Sequence, residues 1–288
     1  MKLSAPAKIN LALDIVGRRT DGYHELDMVM QSISLADTVS LERTETDCVQ
    51  VLCDAADVPC GPENTIARAA DAFFRMTAIR RNSGLLFRID KRIPARAGLG
   101  GGSADAAASL RLLNAMYCAG LSAAELAEIG LTVGADIPFC LAGGTARVRG
   151  IGERVEPAAA MAECAIAVCR PDAGFGTREA YAAYDRAQGS STKRHTASVL
   201  HALENGSLAE LGASLGNAFE DAGVPTVIAE LEAAMMRQGA AGSCMTGSGS
   251  AVFGLFKNES GAKRCCEALR QQQALVFLCH PVSGYFPA

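Results

Sequence analysis

The stretch PARAGLGGGSADAAASL, Pro94–Leu110, places four glycines within five residues and follows them with a run of alanines. A flexible linker would not lead straight into strong helix formers, and a packed helix interior has no need of glycine. The combination reads as a bare backbone loop that feeds a helix N-terminus. Glycines let backbone N–H groups converge without Cβ obstruction. The helix end adds four unpaired donors and about half a positive charge. That is phosphate-holding chemistry. Ser103 and Asp105 stand where a cap or first-turn residue is expected. The competing reading is a tight structural turn before a helix.

Two better-known phosphate loops are excluded. No G-x-x-x-x-G-K-[ST] string occurs, and from Gly98 the chain reads GLGGGS, with Ser103 where a dinucleotide fingerprint needs its third glycine. A triphosphate carries roughly four negative charges, whereas a helix end contributes only about 0.3–1 kcal/mol per interaction. Mg²⁺ is therefore expected beside ATP as the main neutralising charge. The formal net charge of −4 gives no overall attraction for a polyphosphate and argues against a general nucleic-acid binder.

The 288 residues are 49% hydrophobic, enough for one large or two small domains. No apolar run approaches the roughly 18–20 residues of a membrane helix. The N-terminal MKLSAPAKINLALDIVG is interrupted by Pro6, Lys8, Asn10 and Asp14 and lacks the apolar core of a signal peptide. A soluble, cytoplasmic protein without membrane partners is expected. The eleven cysteines include no C-x-x-C pair and read as reduced, buried thiols. His24, His195, His201 and His280 are not spaced with them as zinc ligands, so no zinc site is expected and no residue is assigned as a metal ligand.

In KINLALDIV, residues 8–16, Ile9, Leu11, Leu13 and Ile15 alternate with Lys8, Asn10, Ala12 and Asp14, which predicts a strand with one core face and one polar face. Further strands are expected at 32–42, 49–53 and 83–94, with Lys91 and Arg92 at a solvated strand end. Asn64 can cap a helix over 65–76. A second helix runs from Ser103 to Tyr117 with Ala106, Leu110, Leu113 and Tyr117 as its buried stripe. SAAEL, Ser122–Leu126, carries the capping box of a third helix that runs on into VGADIPFCLAGG. Residues 144–155 read as a strand and turn. Near Pro157 the composition turns alanine-rich, dividing the chain into domains 1–156 and 157–288. The second part reads as strands at 164–171, 242–256 and 274–282. Its helices fall at 177–187, 197–206, 208–221, 225–239 and 259–273. The polar QGSSTKRHT, 188–196, reads as a mobile surface loop. Strands and helices mix without regular alternation, which favours α+β over a doubly wound sheet.

The Pro94–Leu110 stretch resembles the nucleotide loop of the GHMP kinases, the group of galactokinase, homoserine kinase, mevalonate kinase and phosphomevalonate kinase. APAKINLAL at 5–13 is similar to that family's N-terminal motif, and MTGSGSAVFGLF at 245–256 to its C-terminal glycine motif. With DGYHEL at 21–26 and GADIPF at 134–139, the likeness covers nearly the whole chain. These motifs narrow it to an isoprenoid-pathway branch whose alcohol substrate carries cytidine diphosphate. The resemblance implies a two-domain α+β fold: an N-terminal ATP-binding domain, a smaller C-terminal domain, and the active site in the cleft between them. ATP would lie on Pro94, Ala95, Arg96, Ala97, Gly98, Leu99, Gly100, Gly101, Gly102, Ser103 and Ala104.

Lys8 and Asp136 match the family's catalytic pair. Phosphoryl transfer has a loose transition state, so Asp136 is expected to orient the substrate hydroxyl and accept its proton late. Lys8 would orient Asp136 and stabilise charge on the incoming oxygen or the γ-phosphoryl group. Asn10 would hold the alcohol. Tyr23 and His24 match the cytidine pocket, with Tyr181 as a second aromatic and Thr177 just before it. Gly247, Ser248 and Gly249 would lie under the substrate diphosphate or brace the ATP loop. Arg96 stands where a small residue is usual, and Met30 where an aromatic is common. The small-molecule partners implied are ATP and a cytidine-diphosphate-linked polyol, phosphorylated on its 2-hydroxyl. One rival reading is another GHMP kinase of the homoserine or mevalonate type, against which DGYHEL argues. The other is a silent nucleotide-binding regulator, which would be expected to lose the lysine or the aspartate.

Overall fold

The computed structural model describes residues 1–172, 176–187, 194–223, 225–272 and 275–284. Of the polar segment 188–196, residues 188–193 lie outside them; at its end His195 is the N-cap of a helix and Thr196, buried, its first residue, rather than part of a surface loop. The chain begins β1 (Lys2–Arg18), β2 (His24–Thr44), β3 (Val49–Cys53), α1 (Thr65–Thr77), β4 (Gly84–Asp90), α2 (Gly101–Met116), α3 (Ala123–Leu131) and α4 (Ile137–Ala142). It continues β5 (Thr145–Gly150), β6 (Arg154–Pro157), β7 (Ala165–Arg170), α5 (Thr177–Arg186), α6 (Thr196–Glu204), α7 (Leu208–Ser214), β8 (Gly216–Asn217), α8 (Ala218–Asp221), α9 (Thr226–Arg237), β9 (Gly242–Met245), β10 (Val252–Phe256), α10 (Glu259–Arg270) and β11 (Leu275–Cys279). The mixture is α+β, as the sequence predicts. No described helix is long and apolar enough to cross a membrane.

Two compact units emerge. The first holds Met1–Ala7, Ala36–Ala95 and Gly100–Ala142. In it β3 runs parallel to β4, and β4 runs antiparallel to the Thr38–Thr44 part of β2. Asn64 caps α1, its Oδ1 accepting from the Ile66 N–H at 2.8 Å, and α1 buries Ile66, Ala69, Ala70, Ala72 and Phe73. Ser122 and Glu125 form the predicted capping box of α3. Three expectations change. Helix α2 begins at Gly101, and it buries Ala104–Leu110 without a break, plus Leu112 and Leu113, rather than one stripe. Its small residues admit neighbours on several sides, while Tyr117 lies beyond its end and is only half-buried. Helix α3 stops at Leu131. A turn intervenes before α4, whose first carbonyl, that of Asp136, accepts from the Cys140 N–H at 3.0 Å. Lys91 is buried rather than solvated, because Asp37 and Asp105 supply its counter-charges.

The second unit holds Lys8–Leu35, Arg96–Leu99 and Gly143–Ala288. Here the Leu26–Gln31 part of β2 pairs antiparallel with β5, which pairs with β6. A second sheet has the order β11-β7-β10-β9, with Ile166, Val168, Phe253 and Leu255 fully buried in it. The predicted helix over 208–221 is broken. Gly216 and Asn217 form a two-residue strand parallel to Ala12 and Leu13 of β1. A Cβ at Gly216 would stand 2.1 Å from Nδ1 of His195, and Asn217 spends its side chain on the carbonyls of Met245 and Gly247. The polar face of β1 is also not solvated: Lys8, Asn10 and Asp14 are all buried. Asp14 accepts the His195 and Thr196 N–H groups at 3.0 Å and so caps α6 from a neighbouring strand.

All eleven cysteines are free thiols. Six are buried as expected, and burial pushes the Cys164, Cys169 and Cys279 thiols up to about 12. Cys60 and Cys118 depart from the expectation and are exposed.

Candidate active site

The glycines of the loop have separate tasks. Gly98 and Gly100 adopt left-handed φ values of 75° and 69°. A Cβ at Gly98 would lie 2.1 Å from the Thr246 carbonyl oxygen, so no other residue fits there. A Cβ at Gly101 would lie 3.0 Å from Nζ of Lys91, and the Gly102 carbonyl accepts from the Thr65 hydroxyl at 2.7 Å. Gly100 is the N-cap of α2 and offers no side-chain cap. Neither Ser103 nor Asp105 caps the helix: Ser103 lies in its first turn, as one of the two expectations had it, and Asp105 lies just beyond, where it binds Lys91. With no side chain on the first-turn donors, the helix end suits an anion. Pro94 and Ala95 lead into the loop, Arg96 adopts φ 54°, and Ala104 is buried, its N–H bonded to the Gly100 carbonyl.

In the second unit the loop residues Ala97–Leu99 are braced by the second glycine turn. Ala251 N–H donates to the Ala97 carbonyl at 3.1 Å, and the Thr246 hydroxyl lies 3.3 Å from the Gly98 carbonyl. The Leu99 carbonyl accepts from the Lys8 N–H at 3.0 Å. Lys8 itself is 4% exposed, and its Nζ donates to Asn10 Oδ1 at 2.7 Å. A Cβ at Gly247 would stand 3.2 Å from that Nζ, which explains the glycine beside the ammonium. Lys8, Asn10, Gly98 and Gly247 therefore meet. Asp136 belongs to the first unit. It precedes α4, half-buried, beside Gly134, where a Cβ would lie 3.8 Å from the Ser103 hydroxyl.

A third cluster lies in the second unit. His24 stacks on Tyr181 with ring centroids 4.7 Å apart at 25°, and His24 Nε2 lies 2.8 Å from Asp185 Oδ1. Phe219 braces Tyr181 edge-on at 4.9 Å. The Thr177 and Ser248 hydroxyls bond at 2.9 Å, and Ser248 lies between Gly247 and Gly249 in the turn. Tyr23 is 63% exposed in the turn before β2, and Met30 is buried in β2. Sequence reading missed Thr246, Asn217 and Asp185. Thr246 directly precedes the second glycine turn, and Asp185 lies one helical turn beyond Tyr181, so position was the available signal. Among the described residues, no group of three His, Cys, Asp or Glu could hold a metal ion. A magnesium ion carried on phosphate oxygens, with one or two protein oxygens beside them, is compatible with this lining.

In the first unit a glycine-rich loop opens helix α2, and in the second a lysine is buried beside a glycine turn. Residues 64–144 match the family model described as GHMP kinases N terminal domain, and residues 199–274 match GHMP kinases C terminal. The chain belongs to the GHMP kinase family and is an ATP-dependent small-molecule kinase. It is 40% identical to the 4-diphosphocytidyl-2-C-methyl-D-erythritol kinase of Pelotomaculum thermopropionicum, with 94% of this chain and 95% of that one covered. The enzyme of that name from Clostridium novyi is 36% identical, over 98% and 100%. A crystal structure of 4-(cytidine 5'-diphospho)-2C-methyl-D-erythritol kinase is 34% identical, with a TM-score of 0.82 over 99% of this chain and 100% of that one. Methanococcus jannaschii mevalonate kinase shares the fold, with 14% identity and a TM-score of 0.76 over 98% of each chain.

Proposed function

We propose that the chain transfers the γ-phosphoryl group of ATP to the 2-hydroxyl of 4-diphosphocytidyl-2-C-methyl-D-erythritol, in the cytoplasm, on the non-mevalonate route to isoprenoids. The observation that carries this reading is the stack of His24 on Tyr181 with Asp185 on the imidazole. It offers a flat π-face and a polar edge to a nucleobase, which homoserine or mevalonate would not need. The relatives' name agrees with it.

In this reading the Pro94–Ala104 loop holds the ATP phosphates, and Mg²⁺ arrives on them and supplies charge neutralisation. Lys8, held by Asn10, stabilises negative charge on the transferring group. Asn10 fixes the ammonium and touches the alcohol. Asp136 orients the hydroxyl and accepts its proton late. Thr177 and Tyr23 contribute to the nucleoside side, and Gly247–Gly249 lie near the substrate diphosphate. The family's N- and C-terminal domains would divide near Pro157 in this reading, into 1–156 and 157–288, a division by sequence that differs from the two compact units, because Lys8–Leu35 packs with Gly143–Ala288.

The test is Mg²⁺-dependent ADP release by purified protein. The candidate alcohols are diphosphocytidyl-methylerythritol, homoserine, mevalonate and phosphomevalonate, with Asp136→Ala as the blank. Turnover with the cytidine substrate alone, lost in the variant, is the expected result. Turnover with another alcohol would remove the nucleobase pocket and keep the kinase.

A further inference from the structure

Both ends of the phosphate loop converge on one buried ion cluster of the first unit. Leading in, the Arg92 and Ile93 N–H groups donate to Asp37 Oδ1 at 2.6 and 2.8 Å. Lys91 Nζ donates to Asp37 Oδ2 at 2.5 Å and to Asp105 Oδ2 at 2.8 Å. Leading out, Gly101 leaves room for that ammonium, and Asp105 lies one turn further along α2. The side chains of Lys91, Asp37 and Asp105 are 7%, 0% and 3% exposed, so water does not screen them.

The charges do not balance. With both carboxylates ionised the cluster carries one net negative charge, directly behind a helix end built for an anion. The charged groups facing Asp105 are Lys91, from the segment after β4, and Asp37, from β2. Asp105 Oδ1 is buried without a hydrogen-bond partner, which leaves one carboxyl oxygen able to carry a proton. Burial raises the Asp105 carboxyl to about 7, with Asp37 adding to the rise and Lys91 opposing it. A polyphosphate bound at the helix end adds negative charge, which favours the protonated form further.

We propose that Lys91 and Asp105 are positioning residues for the nucleotide phosphates, and that ATP binding at the loop draws one proton from solvent onto Asp105. The inference rests on the reading that ATP occupies this loop. It assigns a function to a pair that touches neither the alcohol nor the reacting atoms.

The test is titration calorimetry of ATP with Mg²⁺ on the full chain at pH 8, in two buffers of different ionisation enthalpy, for wild type and Asp105→Asn. ATP is essentially ionised at that pH, so uptake reports the protein. The wild type is expected to take up more than about half a proton, and the variant markedly less. The wild-type Kd should rise by up to about tenfold per pH unit above 7, and the variant's should stay flat. Equal uptake in both proteins, or none in the wild type, overturns the proposal while leaving ATP at the loop. Failure of both proteins to bind ATP would instead remove the ATP reading itself. Should the variant not fold, wild-type uptake at pH 8 with none at pH 5.5, after correction for ATP's own titration, is the result to look for. A flat wild-type profile overturns the idea.

Discussion

Thr246 and Asn10 are joined twice: the Asn10 N–H donates to the Thr246 hydroxyl at 3.0 Å, and that hydroxyl lies 3.3 Å from Asn10 Oδ1. Asn10 in turn holds the Lys8 ammonium at 2.7 Å. Thr246 therefore positions Lys8 through one intermediary. Thr246→Val keeps the shape and removes the acceptor, leaving a buried N–H unpaired. Expected are a loss of about 1–3 kcal/mol in urea denaturation and a fall of about 10–100-fold in kcat/KM. Unchanged turnover would show that Lys8 does not depend on this contact.

Asp136 offers the sharpest test of the chemistry. Asp136→Asn retains the size and a hydrogen-bonding oxygen, and it cannot accept the alcohol proton. A drop in kcat of about 10²–10⁴-fold is expected, with ATP affinity within a factor of about two by calorimetry. Wild-type turnover at saturating substrates would take Asp136 out of the reaction.

The His24–Tyr181 stack predicts a binding effect rather than a chemical one. Tyr181→Leu keeps an apolar body and removes the ring face. The KM for the cytidine substrate is expected to rise by about tenfold, the equivalent of about 1.5 kcal/mol of aromatic stacking, with kcat little altered. Steady-state kinetics with ATP saturating separates the two. An unaltered KM would place the nucleobase elsewhere.

Arg96 adopts φ 54°, a conformation that costs a side-chain-bearing residue about 1–2 kcal/mol. Arg96→Gly relieves this and gains flexibility in the unfolded chain, so a net stabilisation of about 0.5–1 kcal/mol is expected from denaturant midpoints. A destabilised variant would mean that the arginine makes compensating contacts in the folded loop.

Asp105 also sets a slope of stability against pH. Its carboxyl is raised to about 7, first by burial, from an ordinary value of 3.8. Between those values the folded protein holds a proton that the unfolded chain has released, so this group makes stability fall as pH rises from about 4 to about 7. Asp105→Asn should flatten that fall in urea melts at pH 5 and 7.5. An identical slope in the variant would assign the pH dependence to other groups.

Local rules read from the sequence carried far. Asn64 capping α1, the Ser122–Glu125 box and the alternation along β1 depend on neighbours within a few residues, and so they were legible. The glycine loop was legible for the same reason, since left-handed φ and absent Cβ atoms are written in residue type. Tertiary structure alone decided the rest. Lys8, Asn10 and Lys91 look like surface residues by type, and all are buried. Their partners lie far along the chain: Thr246 is 236 residues from Asn10, and Asp37 is 54 from Lys91. Burial of a charge is tolerable only where an opposite charge or hydrogen bond meets it, and that meeting is a property of the folded chain, not of any local stretch. The same holds for the break between α7 and α8. A good helical pattern gave way because Gly216 must pass the His195 ring and Asn217 must reach Met245 and Gly247.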